Sequence, residues 1–310
     1  MDIVLPFVTC AEEVWMREVL KQKIKVMPIY NDSSKMMSVM FNLFYDYGTL
    51  KYALRGIDKF MPEVDNLFLV VSNIEQVPDY VDQSKVKVVL HSEFMPENLL
   101  PNYDSGTIEM FINKIPGLGE EFVYFNDDMI PIHQISYDEL FKNGLPCIHF
   151  IENDRRLDAP SNKMCRLSFF EAMNSVMNET GENLEFKGRE LVPLHMPTPM
   201  KKSVMDQYSN QDRFPALVDF YCHRDRRERC LNQYYWSDIL YFSKQYVPSD
   251  MQFKLVPLYD LRDFKVKELG EEIKYVCIND MGRDMPLTEV ENIVKEQMDM
   301  ILPEKCSYEK

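Results

Sequence analysis

The sequence predicts an α/β protein built around a largely parallel sheet. The alternation of elements predicts this class, and the composition indicates a large core without a flexible linker. Short apolar runs alternate with amphipathic segments in the first half of the chain. The 310 residues are 45% hydrophobic and 12% aromatic, which is enough to bury a large core. Only 10 glycines occur, and the absence of a Ser/Gly-rich tract argues against a flexible linker. We expect two closely packed parts, residues 1–135 and a helical or irregular part from 136 to 310.

The first elements follow from their apolar patterns. The run Ile3–Val8 predicts a buried first strand. In Thr49–Met61 apolar residues recur at helical spacing with charged residues between them, which predicts an amphipathic helix. The runs Leu67–Val71 and Val86–Leu90 predict two further strands.

A polar trio follows the next predicted strand. Thr107–Lys114 has the pattern of a helix, and Phe122–Phe125 has that of a strand leading into Asn126, Asp127 and Asp128. In open α/β sheets, ligands gather beyond the carboxyl ends of the strands. The trio therefore lies where a ligand site is expected.

The second half is predicted to contain several helices and one late strand. The predicted helices cover Phe169–Met177, Pro199–Tyr208 and Glu228–Tyr246. Tyr275–Ile278 predicts a short strand, and Thr288 with Glu291 forms the pattern of a capping box that opens a helix to about Ile301.

Charge and cysteine usage exclude several classes of protein. The formal net charge of −15 disfavours binding to nucleic acid or to an anionic membrane, since both reward Lys/Arg stripes. The seven scattered cysteines contain no C-x-x-C pair, which fits a reducing compartment. The N-terminal run lacks a basic region, and no apolar stretch approaches membrane length. We expect a protein of the cytoplasm, the inner face of the membrane included, without a transmembrane segment.

Two adjacent carboxylates are candidate metal ligands. Asp127 and Asp128 offer hard oxygen atoms to Mg²⁺ or Mn²⁺, and diphosphate oxygens would complete the coordination shell. The alternative is that the trio is a turn or a helix cap, which is the more frequent explanation of such a sequence.

A histidine and an arginine could serve phosphoryl chemistry. His195 lies in an apolar setting that could tune an imidazole to accept a proton; the alternative is a hydrogen-bonded core histidine. Arg224 could clamp phosphate oxygens, although its charged neighbours also suit a solvated helix start. The spacing of Cys222, His223 and Cys230 fits no common zinc site.

Four segments, taken together and in order, resemble the Stealth family. They are Gly48–Asp58, Ile115–Met129, Leu194–Pro199 and Val276–Asp280. This family contains capsular-polysaccharide phosphotransferases of bacteria and the catalytic subunit of the lysosomal-enzyme N-acetylglucosamine-1-phosphotransferase. The resemblance spans nearly the whole chain and implies a glycosyltransferase-A-like core that binds a nucleotide-diphospho-sugar.

The resemblance also implies an activity and a set of site residues. Family members transfer hexose 1-phosphate, commonly from UDP-N-acetylglucosamine, to a sugar hydroxyl and release a nucleoside monophosphate. Asp127 and Asp128 match the metal and diphosphate site, His195 the catalytic histidine, and Arg224 the arginine that follows it. The remaining positions that match, here expected to bind substrate, are Asp46, Arg55, Asn126, Asn279 and Asp280.

The sequence departs from the family pattern at two places. A first block like V-D-G-S-D-P is replaced around Thr9–Glu12, so the choice of donor is open. Gly106 stands where a histidine is more usual after Ser105.

Two other functions stay open beside the preferred one. The expected partners are a nucleotide sugar and a glycan acceptor, free or lipid-linked, in capsule or exopolysaccharide synthesis; oligomers are compatible with the sequence. One alternative is a glycosyltransferase that releases nucleoside diphosphate. The other is a catalytically inactive glycan-binding protein, prompted by the altered first block.

Overall fold

The structure is a computed structural model that describes residues 1–10, 13, 16–17, 44–152, 160–185, 191–222, 231–279 and 285–310. The strands in these residues are β1 (Asp2–Pro6), β2 (Asn66–Val71), β3 (Lys87–Leu90), β4 (Glu121–Tyr124), β5 (Met129–Pro131), β6 (Phe141–Lys142), β7 (Leu145–Ile148), β8 (Phe150–Glu152), β9 (Leu191–Pro193), β10 (Thr198–Lys201), β11 (Val247–Pro248), β12 (Gln252–Pro257) and β13 (Ile273–Asn279). The α-helices with defined bounds are α1 (Thr49–Phe60), α2 (Ser105–Glu109), α3 (Tyr137–Leu140), α4 (Pro160–Thr180), α5 (Lys202–Ser209), α6 (Phe214–Cys222), α7 (Gln233–Phe242) and α8 (Leu287–Asp299). The predicted α/β class is confirmed.

The chain forms two compact units, each drawn from separated stretches of sequence. Unit A contains residues 1–2, 91–124 and 138–250, and unit B contains residues 3–90, 125–137 and 251–310. The two parts expected at residues 1–135 and 136–310 stay a prediction.

Unit B contains the parallel strands that the sequence predicts. β1, β2 and β3 lie side by side in that order, and β2 runs parallel to β3 with Val71 opposite Leu90. At the end of β1, the backbone N–H of Phe7 donates to the carbonyl of Val70 (2.8 Å). Leu67 through Val71 are all buried, which explains why β2 is a continuous apolar run rather than an alternating one.

A second sheet of unit B joins the middle of the chain to its last third. β13 pairs with β12 in parallel and with β5 in antiparallel orientation, where Val276 lies opposite Ile130. Apolar side chains of this sheet, α1 and α8 form one buried cluster that includes Tyr52, Val276 and Val294. This cluster joins β5 and β13 to the two helices.

Gly56 lets α1 approach β5 closely. A Cβ atom at Gly56 would lie 2.5 Å from the carbonyl oxygen of Pro131, a backbone atom that cannot move without shifting the strand. We expect Gly56→Ala to lower the free energy of unfolding by about 1–3 kcal/mol, although alanine is the better helix former. Urea unfolding would measure this loss, with Lys51→Ala in the same helix as a control. Equal or greater stability of Gly56→Ala would contradict the close approach.

Unit A combines small mixed sheets with the longer helices. β10 pairs with β4 in antiparallel orientation, with Thr198 opposite Tyr124. β7 lies between β11 and β6, and β8 pairs with β9. α4 packs against α7, where the hydroxyls of Ser175 and Tyr235 lie 2.8 Å apart. Each unit therefore contains both parallel and antiparallel pairs of strands.

Two predicted helices of unit A differ from the structure. Thr107–Lys114 is the short helix α2 followed by a separate 3₁₀ turn at Ile112–Lys114. The side chain of Asp104 accepts from the N–H of Thr107 (3.0 Å) and starts α2 early. The expected helix from Pro199 begins with strand β10 instead, because this edge position accepts a residue without an N–H; α5 starts only at Lys202.

The later elements are partly as predicted. The helix expected near Phe169–Met177 is the longer α4, and α6 was not predicted. The segment expected from Glu228 contains α7, although residues 223–230 lie outside the described part of the chain. The capping box is wrong: Pro286 occupies the N-cap of α8, so Thr288 lies inside its first turn.

His91 gives unit A a defined response to acid. Its side chain is buried in edge-to-face contact with Phe94, and burial lowers the pKa of His91 to about 4. In the unfolded chain the imidazole of His91 becomes protonated as the pH falls through its ordinary pKa of 6.5. In the folded protein it becomes protonated only as the pH approaches 4. Stability from neutral His91 is therefore complete above pH 6.5 and lost as the pH falls toward 4, by up to about 3 kcal/mol.

The pH dependence of His91→Gln tests this account. We expect the free energy of unfolding to fall less between pH 6.5 and 4 in this variant than in the wild type, as measured by urea unfolding across that range. The half-buried His133, as His133→Gln, is the control. Identical slopes for wild type and His91→Gln would refute the assignment.

Candidate functional site

The acidic trio lies in unit B, in the turn before β5. Phe125 donates its backbone N–H to the carbonyl of Val4 (2.9 Å), and Met129 donates to that of Asn126 (3.1 Å). Ile278, in β13, donates its N–H to the carbonyl of Asp128 (3.0 Å). The trio is therefore a turn, as the structural alternative held, but one fixed by two strands at a position where its carboxylates can meet a ligand.

Asp128 has one carboxylate oxygen that protein groups do not satisfy. Its Oδ2 accepts from the thiol of Cys277 (3.3 Å) and from the amide of Asn279 (3.5 Å). Its Oδ1 is buried and accepts no hydrogen bond from the described residues. Leaving such an atom unpaired costs about 1–3 kcal/mol. A carboxylate oxygen with this spare capacity fits the ligand set of a divalent cation, with Asp127 as its neighbour.

Cys277 was not singled out in the sequence analysis. It is fully buried in β13, and its thiol hydrogen bond fixes the orientation of the Asp128 carboxylate. The available signal was its place in Val276–Asp280, a segment that carries the family resemblance. The segment alone did not indicate which face of the strand would meet Asp128.

Asp46 caps the start of α1. Its Oδ1 accepts from the N–H of Gly48 (2.8 Å) and from the hydroxyl of Thr49 (3.4 Å). Gly48 itself has a φ of 83°, a conformation that favours glycine, and provides no side chain for the cap. Burial raises the pKa of Asp46 even though backbone N–H groups stabilise its charge. The substrate contact expected of Asp46 stays a prediction beside this capping role.

The side chain of Arg55 is hydrogen-bonded to the segment at residues 302–310. Its side chain is 6% exposed and makes four hydrogen bonds: Nε and Nη2 donate to the carboxylate of Glu309 (2.8 and 3.0 Å), and Nη1 donates to the carbonyls of Leu302 and Pro303 (2.9 and 3.0 Å). The hydrogen bonds to Glu309 raise the pKa of Arg55 above its usual value. These contacts give Arg55 a role in stabilising the fold. Its expected contact with substrate stays a prediction.

His195 lies in unit A, in the short loop between β9 and β10. Leu194 donates its N–H to the carbonyl of His149 (3.0 Å), which fixes one side of this loop. The Nδ1 atom of His195 is 3.3 Å from the hydroxyl of Tyr234, on α7. His195 is half-buried, and the catalytic role expected of it stays a prediction.

Several residues considered above from the sequence lie outside the described part of the chain. They are Glu12, His223, Arg224, Cys230 and Asp280. Arg224 and Asp280 therefore keep the roles predicted for them as predictions only. Asn279, which precedes Asp280, ends β13 beside Asp128.

Thr9, at the start of the altered first block, is held by a side chain that the sequence did not indicate. Thr9 donates its N–H to the amide oxygen of Gln76 (2.6 Å), and the amide nitrogen of Gln76 donates to the carbonyl of Thr9 (3.2 Å). Gln76 is 1% exposed. Its amide thus acts as a substitute strand partner for Thr9, with a sequence separation of 67 residues.

The glycine at position 106 also has a structural reason. A Cβ atom there would lie 2.4 Å from the carbonyl oxygen of Leu231. No side chain fits at this position with the present backbone. The glycine that stands in place of the usual histidine therefore lies where two segments of unit A approach each other closely.

Comparison with known proteins identifies a conserved region and several relatives. Residues 43–148 match the family model of Stealth protein CR2, conserved region 2. The exopolysaccharide phosphotransferase cps2G of Lactiplantibacillus plantarum is 35% identical over 49% of this chain and 43% of its own length. The capsular polysaccharide phosphotransferase of Actinobacillus suis is 26% identical over 94% of this chain and 80% of its own. The receptor polysaccharide phosphotransferase WefC of Streptococcus oralis is 25% identical over 100% and 99%.

Solved structures give a weaker similarity. The galactosyltransferase LgtC, in complex with donor and acceptor sugar analogs, aligns over 97% of this chain and 96% of its own with 10% identity and a TM-score of 0.45. Mouse xyloside xylosyltransferase 1 aligns over 92% and 99% with 12% identity and a TM-score of 0.40. Within the described ranges, no helix has the length and apolar character needed to cross a membrane.

The conserved region and the relatives agree with the sequence motifs. The region at 43–148 contains Asp46, Arg55 and the trio at 126–128, and the alignments with the relatives of Actinobacillus suis and Streptococcus oralis extend over nearly the whole chain. The chain spans less than half of cps2G, so this match does not assign the function of that whole protein to this chain. The chain is therefore similar to Stealth proteins, with their conserved region 2 at residues 43–148.

Proposed function

We propose that this protein is a metal-dependent transferase that moves a hexose 1-phosphate, such as N-acetylglucosamine 1-phosphate, from a nucleotide sugar to a glycan hydroxyl. The observation that carries the proposal is the buried Oδ1 of Asp128, which no group among the described residues satisfies, in a turn that two strands of unit B hold in place. The names of the relatives, which are polysaccharide phosphotransferases, support the reaction class.

The donor would be held through its diphosphate. Asp127 and Asp128 are the proposed ligands of Mg²⁺ or Mn²⁺, which when bound would neutralise the charge of the diphosphate. Hydrogen bonds from Cys277 and Asn279 orient the Asp128 carboxylate for this task. Asp46, Asn126, Asn279 and Asp280 are proposed contacts to the donor.

The reaction requires a base and a charge stabiliser. The oxygen of the acceptor hydroxyl would form a bond to the sugar-linked phosphorus, while the bond from that phosphorus to the bridging oxygen breaks and the nucleoside monophosphate leaves. His195 is the proposed base that takes the hydroxyl proton, and Arg224 the proposed stabiliser of phosphoryl charge. For Arg55 we favour the structural role that its contacts with Glu309 describe.

The proposed setting is the assembly of a capsule or exopolysaccharide in the cytoplasm. The acceptor would be a growing glycan, free or lipid-linked. The formal charge of −15 is compatible with this setting, since the anionic donor would be bound through a metal and local cations rather than through a basic surface.

Metal-dependent release of a nucleotide tests the proposal. Purified protein would be incubated with UDP-N-acetylglucosamine and other nucleotide sugars, capsule oligosaccharides, and Mg²⁺, Mn²⁺ or EDTA. We expect a nucleoside monophosphate to appear with either metal and not with EDTA. Release that is undiminished in EDTA would refute the metal site, and binding of donor without any release under all conditions would indicate a glycan-binding protein instead.

A further inference from the structure

The loop that carries His195 is fastened to the first turn of α7. The hydroxyl of Thr198 donates to the carbonyl of Met196 (2.9 Å) and lies 3.3 Å from the amide oxygen of Gln233. One residue further along α7, the hydroxyl of Tyr234 lies 3.3 Å from Nδ1 of His195. Two consecutive residues of α7 therefore contact this loop on both sides of Met196.

The start of α7 is itself fixed by a buried carboxylate. Glu109, 4% exposed, accepts from the backbone N–H of Gln233 (2.5 Å) and from the hydroxyl of Tyr124 (2.8 Å). The backbone carbonyl of Glu109 accepts from the indole of Trp236 (3.0 Å). A negative charge at a helix N-terminus is electrostatically favourable, and buried partners hold it there. Tyr234 therefore reaches His195 from a rigid support.

We propose that Tyr234 is a positioning residue that sets the tautomer of His195. The 3.3 Å contact alone fits donation in either direction. We assign the Nδ1–H of the imidazole as the donor and the hydroxyl oxygen as the acceptor, because the proposed base then keeps its proton on Nδ1 and has Nε2 as its basic nitrogen. The hydrogen bond made by one ring nitrogen determines which of the two nitrogens carries the proton.

The catalytic consequence rests on the proposed function. When an acceptor hydroxyl loses its proton, that proton would bind to Nε2, and the resulting imidazolium would keep its Nδ1–H hydrogen bond to Tyr234. The hydroxyl of Tyr234 would neither gain nor lose a proton in this step. Tyr234 would thus act on turnover through the orientation and tautomer of His195, without touching substrate.

Nitrogen NMR of labelled histidine tests the tautomer directly. The two nitrogens of a neutral imidazole have well-separated ¹⁵N shifts, and His195→Gln assigns the His195 signals among the five histidines. At a pH of about 8, above the ordinary histidine pKa, we expect the Nδ1–H form in the wild type and a shift toward the Nε2–H form in Tyr234→Phe. The matched control is Tyr241→Phe, the same change on the same helix, and it should leave the His195 signals unchanged.

The outcomes separate this inference from the proposed function. An Nε2–H form in the wild type, or the same tautomer in Tyr234→Phe, would overturn the inference whatever the activity. If the tautomer changes as expected, kcat of Tyr234→Phe should fall on the order of 10-fold with KM within about 2-fold, since only the base is misaligned. If the tautomer changes as expected in Tyr234→Phe but the wild-type protein shows no transfer, the role of Tyr234 stands and the proposed function alone is refuted.

Discussion

Asp128→Asn is expected to reduce nucleotide release by about 10²–10³-fold, the range typical for loss of one electrostatic contact that stabilises a developing charge. The substitution keeps the shape of the side chain and removes its negative charge. The buried Oδ1, which no described protein group satisfies, would then no longer offer a full carboxylate to a cation. Initial rates at saturating donor, measured over a series of Mg²⁺ and Mn²⁺ concentrations, would show the loss and a weaker metal dependence.

The controls distinguish chemistry from folding. Asp79→Asn removes an exposed carboxylate from the same unit and should leave the rate unchanged. Cys277→Ser keeps a donor to Oδ2 of Asp128 and should retain most of the activity. Thermal unfolding would establish that all three variants are folded. A rate for Asp128→Asn within about threefold of the wild type would remove the basis of the metal site, since even a single weakened contact costs more than that.

Arg55→Ala is expected to lower the free energy of unfolding by about 3–5 kcal/mol, because it leaves the buried carboxylate of Glu309 without its partner. Glu309 is itself 9% exposed, and the pair joins residues 254 positions apart in the sequence. The same substitution would release the carbonyls of Leu302 and Pro303. Urea unfolding at neutral pH measures the loss.

A surface ion pair in the same unit provides the matched control. Arg262 donates to Glu289 (2.8 Å), but its side chain is 51% exposed, so Arg262→Ala should cost under about 1 kcal/mol. Replacing both Arg55 and Glu309 by methionine should recover most of the stability lost in Arg55→Ala, since no unpaired charge remains. Wild-type stability of Arg55→Ala combined with weakened donor binding would instead support the substrate contact that the family resemblance implies.

The sequence predicted those elements whose pattern is local. β2 is a continuous apolar run and α1 has apolar residues at helical spacing, so each could be recognised without knowing its neighbours. β10 could not, because its strand conformation depends on pairing with β4, more than 70 positions earlier. The capping box failed for a different reason: Pro286 suits the position before α8, and it displaced Thr288 from the cap.

The residues of the candidate site likewise fall into those with a local sequence pattern and those without one. Asp127 and Asp128 could be proposed because polar residues beyond a buried strand mark a ligand edge, a rule that needs only the strand itself. Cys277 and Tyr234 became apparent only from contacts across about 149 and 39 positions of sequence. Gln76 belongs with them, since an amide that pairs with a distant backbone leaves no local pattern.

The fate of the donor's second phosphorus tests the central claim most directly. UDP-N-acetylglucosamine labelled with ³²P at the phosphorus next to the sugar would be incubated with protein, Mg²⁺ and capsule oligosaccharide, and the products separated. Transfer of sugar 1-phosphate predicts that the label moves into the oligosaccharide and that unlabelled UMP is released, with neither event in His195→Ala. Label that stays in released UDP, with N-acetylglucosamine alone joined to the glycan, would make the protein a glycosyltransferase and contradict the account.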